Sequence, residues 1–279
     1  MNRIGQIALC GALAVTLLGA LASPASAETV VMGSTLTGNY DGGISGAPVL
    51  SVQLAYEPAT SPNPVISPAN GLVTGWKVKS ADDGALYTLK VLRPNGPVSL
   101  VTATNSNFTG IASVPAPSAV PAGTALASPT GAVFSYPASL PINKGDYLGI
   151  RLGGAATGLP QAFTNGQHGN LIANNFAGQP ADGSSADLLA DEQHDLLLQA
   201  TIEFCKVPDV KGLKVPAAQQ ALMAADCATG KVTKKKLKRS KKAKKKKGKV
   251  LTQSQAPGTT AVPGTAVDLK VAGLRKKHR

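Results

Sequence analysis

Val207-Pro-Asp-Val-Lys-Gly-Leu213 and Val250-Leu-Thr-Gln-Ser-Gln-Ala-Pro-Gly258 flank the most basic stretch of the chain, Lys231-Val-Thr-Lys-Lys-Lys-Leu-Lys-Arg-Ser-Lys-Lys-Ala-Lys-Lys-Lys-Lys-Gly-Lys-Val250. From Lys234 to Lys249, twelve of sixteen positions are basic: Lys234, Lys235, Lys236, Lys238, Arg239, Lys241, Lys242, Lys244, Lys245, Lys246, Lys247 and Lys249. By itself such a run reads as a disordered basic tail. Its flanks argue for a folded unit instead. Pro216 sits where a first helical turn tolerates proline. Ala218, Ala221, Leu222 and Ala225 then mark one helical face, and Gly230 ends it. Three strands are expected to follow, from about Lys231, around Val250–Ser254 and around Ala266–Val271. Leu237 and Ala243 are the only apolar breaks in the run and cannot bury a face. The segment 231–249 is therefore expected to be a solvated, mobile Lys-rich hairpin.

This order of signatures, VPDVKGL, a short helix, GKV, VLTQSQAPGT and a closing strand, resembles a PASTA domain, the small extracytoplasmic module of penicillin-binding proteins and Ser/Thr kinases. The resemblance covers about residues 205–272 and leaves Gly273–Arg279 as a short basic tail. It implies a small α+β unit, one helix packed on a three-stranded sheet, and recognition of peptidoglycan or docking near it.

The N-terminus reads as a secretory signal peptide. Met1-Asn-Arg3 is a positive head, Ile7 to Ala22 an apolar core, and Ala25-Ser-Ala27 a small-residue cleavage site, placing the cut between Ala27 and Glu28. The apolar run is short for a bilayer span and ends in Ser-Pro. Cys10 lies mid-core after Ile-Ala-Leu, not at a lipoprotein cleavage site. No transmembrane segment is expected after signal cleavage. Two cysteines then remain, Cys205 and Cys227, flanking the C-terminal helix. Export places them where disulfides form, so a bond between them is expected. Free thiols or a metal site compete, but no histidine pair lies nearby for zinc. Charge divides between the two parts. Residues 28–204 carry 6 Lys/Arg against 12 Asp/Glu, net −6, whereas residues 205–279 carry 21 against 3, net +18. A basic exported unit calls for a polyanionic partner.

Residues 28–204 are rich in Gly, Pro, Ser, Thr and Ala, and their ordered segments alternate with period two. Leu50/Val52/Leu54, Trp76/Val78, Tyr87/Leu89/Val91, Leu148/Ile150/Leu152 and Leu196/Leu198/Ala200/Ile202/Phe204 are one-faced rows, and Gly75 marks a bulge out of phase with Val73. Val98–Thr104 and Ala132–Tyr136 are further strand candidates. Asp82-Asp-Gly84, Arg93-Pro-Asn-Gly-Pro97, Asn143-Lys-Gly145 and Ala181-Asp-Gly183 are turns, and 58–68 and 115–129 are Pro-rich loops. The pattern predicts a mostly β chain whose N-terminal domain is a β-sandwich, jelly-roll-like or Ig-like. Gly71-Leu-Val-Thr-Gly-Trp-Lys-Val78, Tyr87-Thr-Leu-Lys-Val-Leu-Arg-Pro94 and Leu140-Pro-Ile-Asn-Lys-Gly-Asp-Tyr-Leu-Gly-Ile150 are similar to uncharacterised sandwich domains of secreted actinobacterial proteins, which implies no activity.

No catalytic motif stands out. His168 and His194 lie in no triad-like pattern, and there is no Gly-x-Ser-x-Gly elbow. Asp191, Glu192, His194 and Asp195 form the densest polar cluster. It reads as a polar turn, with a metal site or a glycosidase carboxylate pair as the sharper alternatives. Asp182–Asp187 lacks the ligand density of a calcium loop. Trp76 alternates with core positions. There is no phosphate-cradling loop and no cofactor fingerprint, so neither cofactor nor metal is expected. The lysines lack interleaved aromatics for base stacking, and export removes intracellular nucleic acid as a partner. Lysine is a mobile point charge that attracts anions with little selectivity. The expected protein is a non-enzymatic, extracellular, cell-wall-associated one, partnered by peptidoglycan or anionic wall polymers. The alternatives are a wall-targeted hydrolase or carbohydrate-active sandwich, or a purely adhesive protein.

Overall fold

The computed structural model describes residues 28–42, 48–56, 61–154, 158–163 and 170–275. The proposed signal peptide, His168 and Lys276–Arg279 lie outside them. In chain order the strands are β1 (Glu28–Gly33), β2 (Val49–Ala55), β3 (Gly71–Ser80), β4 (Ala85–Pro94) and β5 (Asn105–Pro115). A one-turn helix α1 (Thr124–Ala127) precedes β6 (Ala132–Ile142), β7 (Tyr147–Gly154), β8 (Gln161–Phe163), β9 (Leu171–Asn175), β10 (Ser185–Glu192), β11 (His194–Leu196) and β12 (Leu198–Lys206). The C-terminal part adds α2 (Val215–Ala224), β13 (Ala228–Leu237), α3 (Lys241–Lys246), β14 (Val250–Gln253), β15 (Thr260–Ala261) and β16 (Ala266–Leu274).

Two layers face each other in the N-terminal part. One is the sheet β1-β12-β3-β6; the other, β10-β5-β4-β7-β2-β9, closes on itself because β9 pairs with β10. The alternating rows explain the packing. Trp76, Val78, Leu198, Ile202 and Phe204 from the first layer meet Tyr87, Leu89, Ile150 and Leu152 from the second in one continuous core. Each such fully buried side chain contributes on the order of 1.5–3 kcal/mol. The opposite face of the second layer fills the inside of the ring with Leu50, Val52, Leu92, Phe108 and Leu188. β2 is therefore buried on both faces, and every residue from Val49 to Leu54 is inaccessible. Trp76 is 2 % exposed and stacks obliquely on Tyr136 at 4.7 Å, so it is a core residue and not a sugar platform.

The chain is mostly β, as the periodicity predicts. The expected bulge is present: the β3–β6 register slips between Val73 and Gly75, and the β12–β3 register slips opposite it. Val98–Thr104 is not a strand. Ser99 N donates to Ser106 Oγ at 2.9 Å and Val101 N to Ser99 Oγ at 3.3 Å, so side chains take backbone donors that a strand would need. β1, β5 and β10 interleave Ser, Thr, Asn or charge irregularly with their apolar residues, and β9 is a five-residue run buried at its first four positions, so none shows a one-faced apolar row.

The last strand of the sandwich runs straight on. Cys205 and Lys206, at the end of β12, pair with Ala261 and Thr260 of β15. The C-terminal core is nevertheless separate, made of Val207, Val210, Ala218, Leu222, Ala225, Val250, Val267, Leu269 and Val271 around the two cysteines. Ala218 and Leu222 are the buried face of α2, with Pro216 in its first turn.

The expected hairpin over 231–249 is corrected. β13 and β14 are not neighbours; both pair with β16, which lies between them, and β13 runs parallel to it. A parallel or skipped neighbour needs a crossover, and the lysine run is that crossover. Its middle is helical. Ser240 caps α3 by accepting from Ala243 N at 3.0 Å, and Ala243 is 7 % exposed. Lys244, Lys245 and Lys246 occupy the last turn, where cations favour the helix dipole. Beyond α3, Gly248 N and Lys249 O bond Ala272 at 2.9 Å. One buried alanine and two tied ends hold the crossover to the sheet. The basic tail is also shorter than expected, since β16 reaches Leu274.

Candidate functional site

In the C-terminal unit the two sequence signatures are bonded to each other. Gln253 Oε1 accepts from Val210 N at 3.0 Å, and Gln253 Nε2 donates to Pro208 O and Gln255 O, both at 3.0 Å. One partly buried amide thus joins the VPDV turn to the QSQAP turn. Asp209 Oδ1 closes its own turn on Lys211 N. The disulfide joins Cys205 to Cys227 and ties the start of the unit to the end of α2.

The sheet of this unit has one covered face and one open face. Val267, Leu269 and Val271 point to the core, so Asp268 and Lys270 alternate to the other side and are exposed. There a shallow cleft of about 250 Å³ is lined by Lys231, Thr233, Thr252, Ser254, Asp268 and Lys270. Asp268 organises it. Its Oδ1 accepts from Lys231 N at 2.6 Å, and Ser254 Oγ accepts from Asp268 N at 2.9 Å. Gly230 makes that approach possible, because a Cβ there would lie 2.2 Å from Asp268 Oδ1. β13 is an edge strand, and its lysines continue away from the cleft into α3. All twelve predicted polyanion-contact residues from Lys234 to Lys249 are exposed, and they follow the crossover from the β13 edge of the sheet through α3 to the start of β14.

The structure divides the acidic cluster of the sandwich. His194 Nδ1 lies 3.9 Å from Asp191 Oδ2, with the aspartate half exposed. Asp195, next on β11, points to the opposite face and is 1 % exposed; Ser34 Oγ donates to its Oδ2 at 3.0 Å. Burial pushes the Asp195 carboxyl up to about 6, against the opposing Ser34 hydrogen bond. Asp191 and Asp195 therefore do not converge as a glycosidase pair. Asp182 and Asp187 are likewise committed elsewhere, to Lys90 and Ser113 and to Asn107 Nδ2. Among the described residues no three His, Cys, Asp or Glu side chains are grouped to hold a metal, and no helix is long and apolar enough to cross a membrane.

A helix laid on three strands, with a disulfide at its foot and a turn-bridging glutamine, defines a small α+β module. Residues 206–273 match the family model of the PASTA domain, and the chain carries one there. PASTA domains are generally associated with binding peptidoglycan and β-lactam-like ligands, and occur in extracellular or cell-wall-associated regions. No curated protein and no solved structure matches the chain.

Proposed function

We propose that this is an exported bacterial protein that associates with the cell wall without catalysing a reaction there, through its PASTA domain and the basic border beside it. The observation that carries this reading is the juxtaposition on one module of a polar open-face cleft and twelve exposed Lys/Arg side chains. The cleft offers hydroxyls, a carboxylate and two lysines to a glycan-peptide. The border attracts wall anions over roughly a Debye length, about 8–10 Å near physiological salt. The two contributions differ in salt sensitivity, which makes them separable. Exposed lysine attraction weakens as ions screen it, whereas hydrogen bonds in the cleft persist. The disulfide and the apolar segment at residues 7–22 support an oxidising, extracytoplasmic location.

Sedimentation of the full chain with purified sacculi tests this. Retention at both low and physiological salt supports the proposal. A protein that stays in the supernatant under both conditions refutes it. The hydrolase alternative predicts release of soluble fragments from the sacculi, which the binding reading does not.

A further inference from the structure

The ring-closed layer of the sandwich has an interior that changes character along its length. Over most of it, the inward residues are Leu50, Val52, Leu92, Phe108 and Leu188. At one mouth the same inward rows turn polar: Leu92 is followed, two and four residues back on β4, by Lys90 and Thr88, and Tyr147 and Gly149 on β7 give way to Arg151. Thr88 and Arg151 are directly opposed in the β4–β7 register, and Lys90 opposes Ser113 across β4–β5. The segment 178–182 forms the rim. Together these residues enclose an open cleft of about 300 Å³.

The charges of this mouth are unequally matched. Lys90 is 4 % exposed, and its Nζ lies 3.0 Å from Asp182 Oδ1, while Ser113 Oγ donates to Asp182 Oδ2 at 2.8 Å. The pair, a buried lysine and a rim aspartate that is 43 % exposed, is neutral overall, and the lysine's position is fixed. Arg151 has no such counter-ion: among the described residues no carboxylate pairs with it. Its guanidinium lies against the backbone of Gly178, where a Cβ would sit 2.9 Å from Nε. A side chain at Gly178 would displace the guanidinium, so the glycine is what lets it lie there.

We propose that this barrel mouth is a binding site for a small hydroxylated monocarboxylate of the sugar-acid type. Barrel mouths are a common place for small-ligand sites, and this one is of the size for a single ring. A planar arginine fork matches a carboxylate in two parallel hydrogen bonds. With Lys90 neutralised by Asp182, one positive charge is free, which suits a monoanion better than a phosphate dianion. Thr88, Ser113 and Gln179 supply hydroxyl and amide partners for ring hydroxyls, and Asp182 supplies acceptors. No aromatic side chain lines the cleft, so stacking against a neutral sugar contributes nothing here. The site is independent of the PASTA domain reading.

Calorimetric titration of the full chain with D-glucuronate, D-glucose and glucose 6-phosphate tests the assignment. Saturable binding of glucuronate is expected, at least tenfold tighter than glucose and tighter than the phosphate ester. Arg151→Gln weakens it by about tenfold or more, the scale of a charged hydrogen-bonded contact. Arg151→Lys, which keeps the charge and the stem, weakens it too because the fork is lost. Lys144→Gln, on the β6–β7 turn, leaves affinity unchanged. No saturation by glucuronate, equal affinity for glucose, preference for the phosphate, or full binding by Arg151→Gln would each overturn the proposal.

Discussion

Breaking the Cys205–Cys227 bond should unfold the C-terminal unit selectively. The bridge closes a loop of 22 residues. Loop-closure entropy for that length amounts to about 3.4 kcal/mol at 25 °C. The unit's core is small, and domains of its size hold only several kcal/mol of stability. Losing the bond therefore removes a large share. For a domain of 60–100 residues, such a loss lowers the melting midpoint by roughly 15–25 °C. Both sulfurs are buried, Cys205 at 0 % and Cys227 at 4 % exposure, so reductant reaches them only through opening of the unit. The double variant Cys205→Ala, Cys227→Ala avoids that kinetic barrier. Hydrogen exchange on 228–237 and 266–274, against 71–94 in the sandwich, reads the two parts in one experiment. Faster exchange confined to the C-terminal strands is expected. Equal protection in the variant and the oxidised protein, with a midpoint shift under 3 °C, would refute the reasoning.

Other outcomes follow from single contacts. Arg93 makes a forked pair with the buried Asp146, at 2.8 and 2.9 Å; Arg93→Ala leaves that carboxylate with only the Asn143 N–H at 2.8 Å and should cost roughly 1.5–3 kcal/mol in urea denaturation. Asp195 has a folded-state pKa raised to about 6 by burial, above its unfolded value near 3.8, so its ionisation penalises the fold. That penalty is absent below about pH 4 and grows as pH rises through 6, so stability falls over this window by roughly 2–3 kcal/mol. Asp195→Asn should abolish the slope, as seen in denaturation midpoints measured from pH 4 to 7. Gly230→Ala places a methyl group 2.2 Å from Asp268 Oδ1, and should raise the exchange rate at Lys231 N while leaving the sandwich unaffected.

Much of this was legible in the sequence because one-faced apolar rows survive translation into packing. The row Leu198, Ala200, Ile202, Phe204 predicts β12 and its buried side, and Ala218 with Leu222 predicts the inner face of α2. The disulfide was legible from the two cysteines and the expected export. Strand order was not. Nothing local in Lys231–Val250 says that β16 will insert between β13 and β14, since that depends on partners far along the chain. Counting apolar residues also undervalued Ala243, where one methyl and a serine cap hold the turn of helix. The ring closure of the second layer is not legible for a similar reason: it rests on the pairing of β9 with β10, and neither strand carries a one-faced apolar row. The barrel-mouth residues Thr88, Lys90 and Arg151 read as ordinary outward positions. The one signal available was their place in rows whose other members, Leu92 and Tyr147, are apolar and buried.

The central claim is that the C-terminal module holds the protein at the wall by two separable attractions. Its most direct test is a salt series of co-sedimentation with sacculi, comparing the natural chain with a variant in which Lys241, Lys242, Lys244, Lys245, Lys246 and Lys247 are all glutamine. The account predicts that the natural chain loses part of its binding as salt rises and keeps a salt-resistant fraction. The glutamine variant should show only that resistant fraction, at every salt concentration. A natural chain released completely by salt would contradict recognition by the PASTA surface, and one that never sediments would contradict wall association altogether.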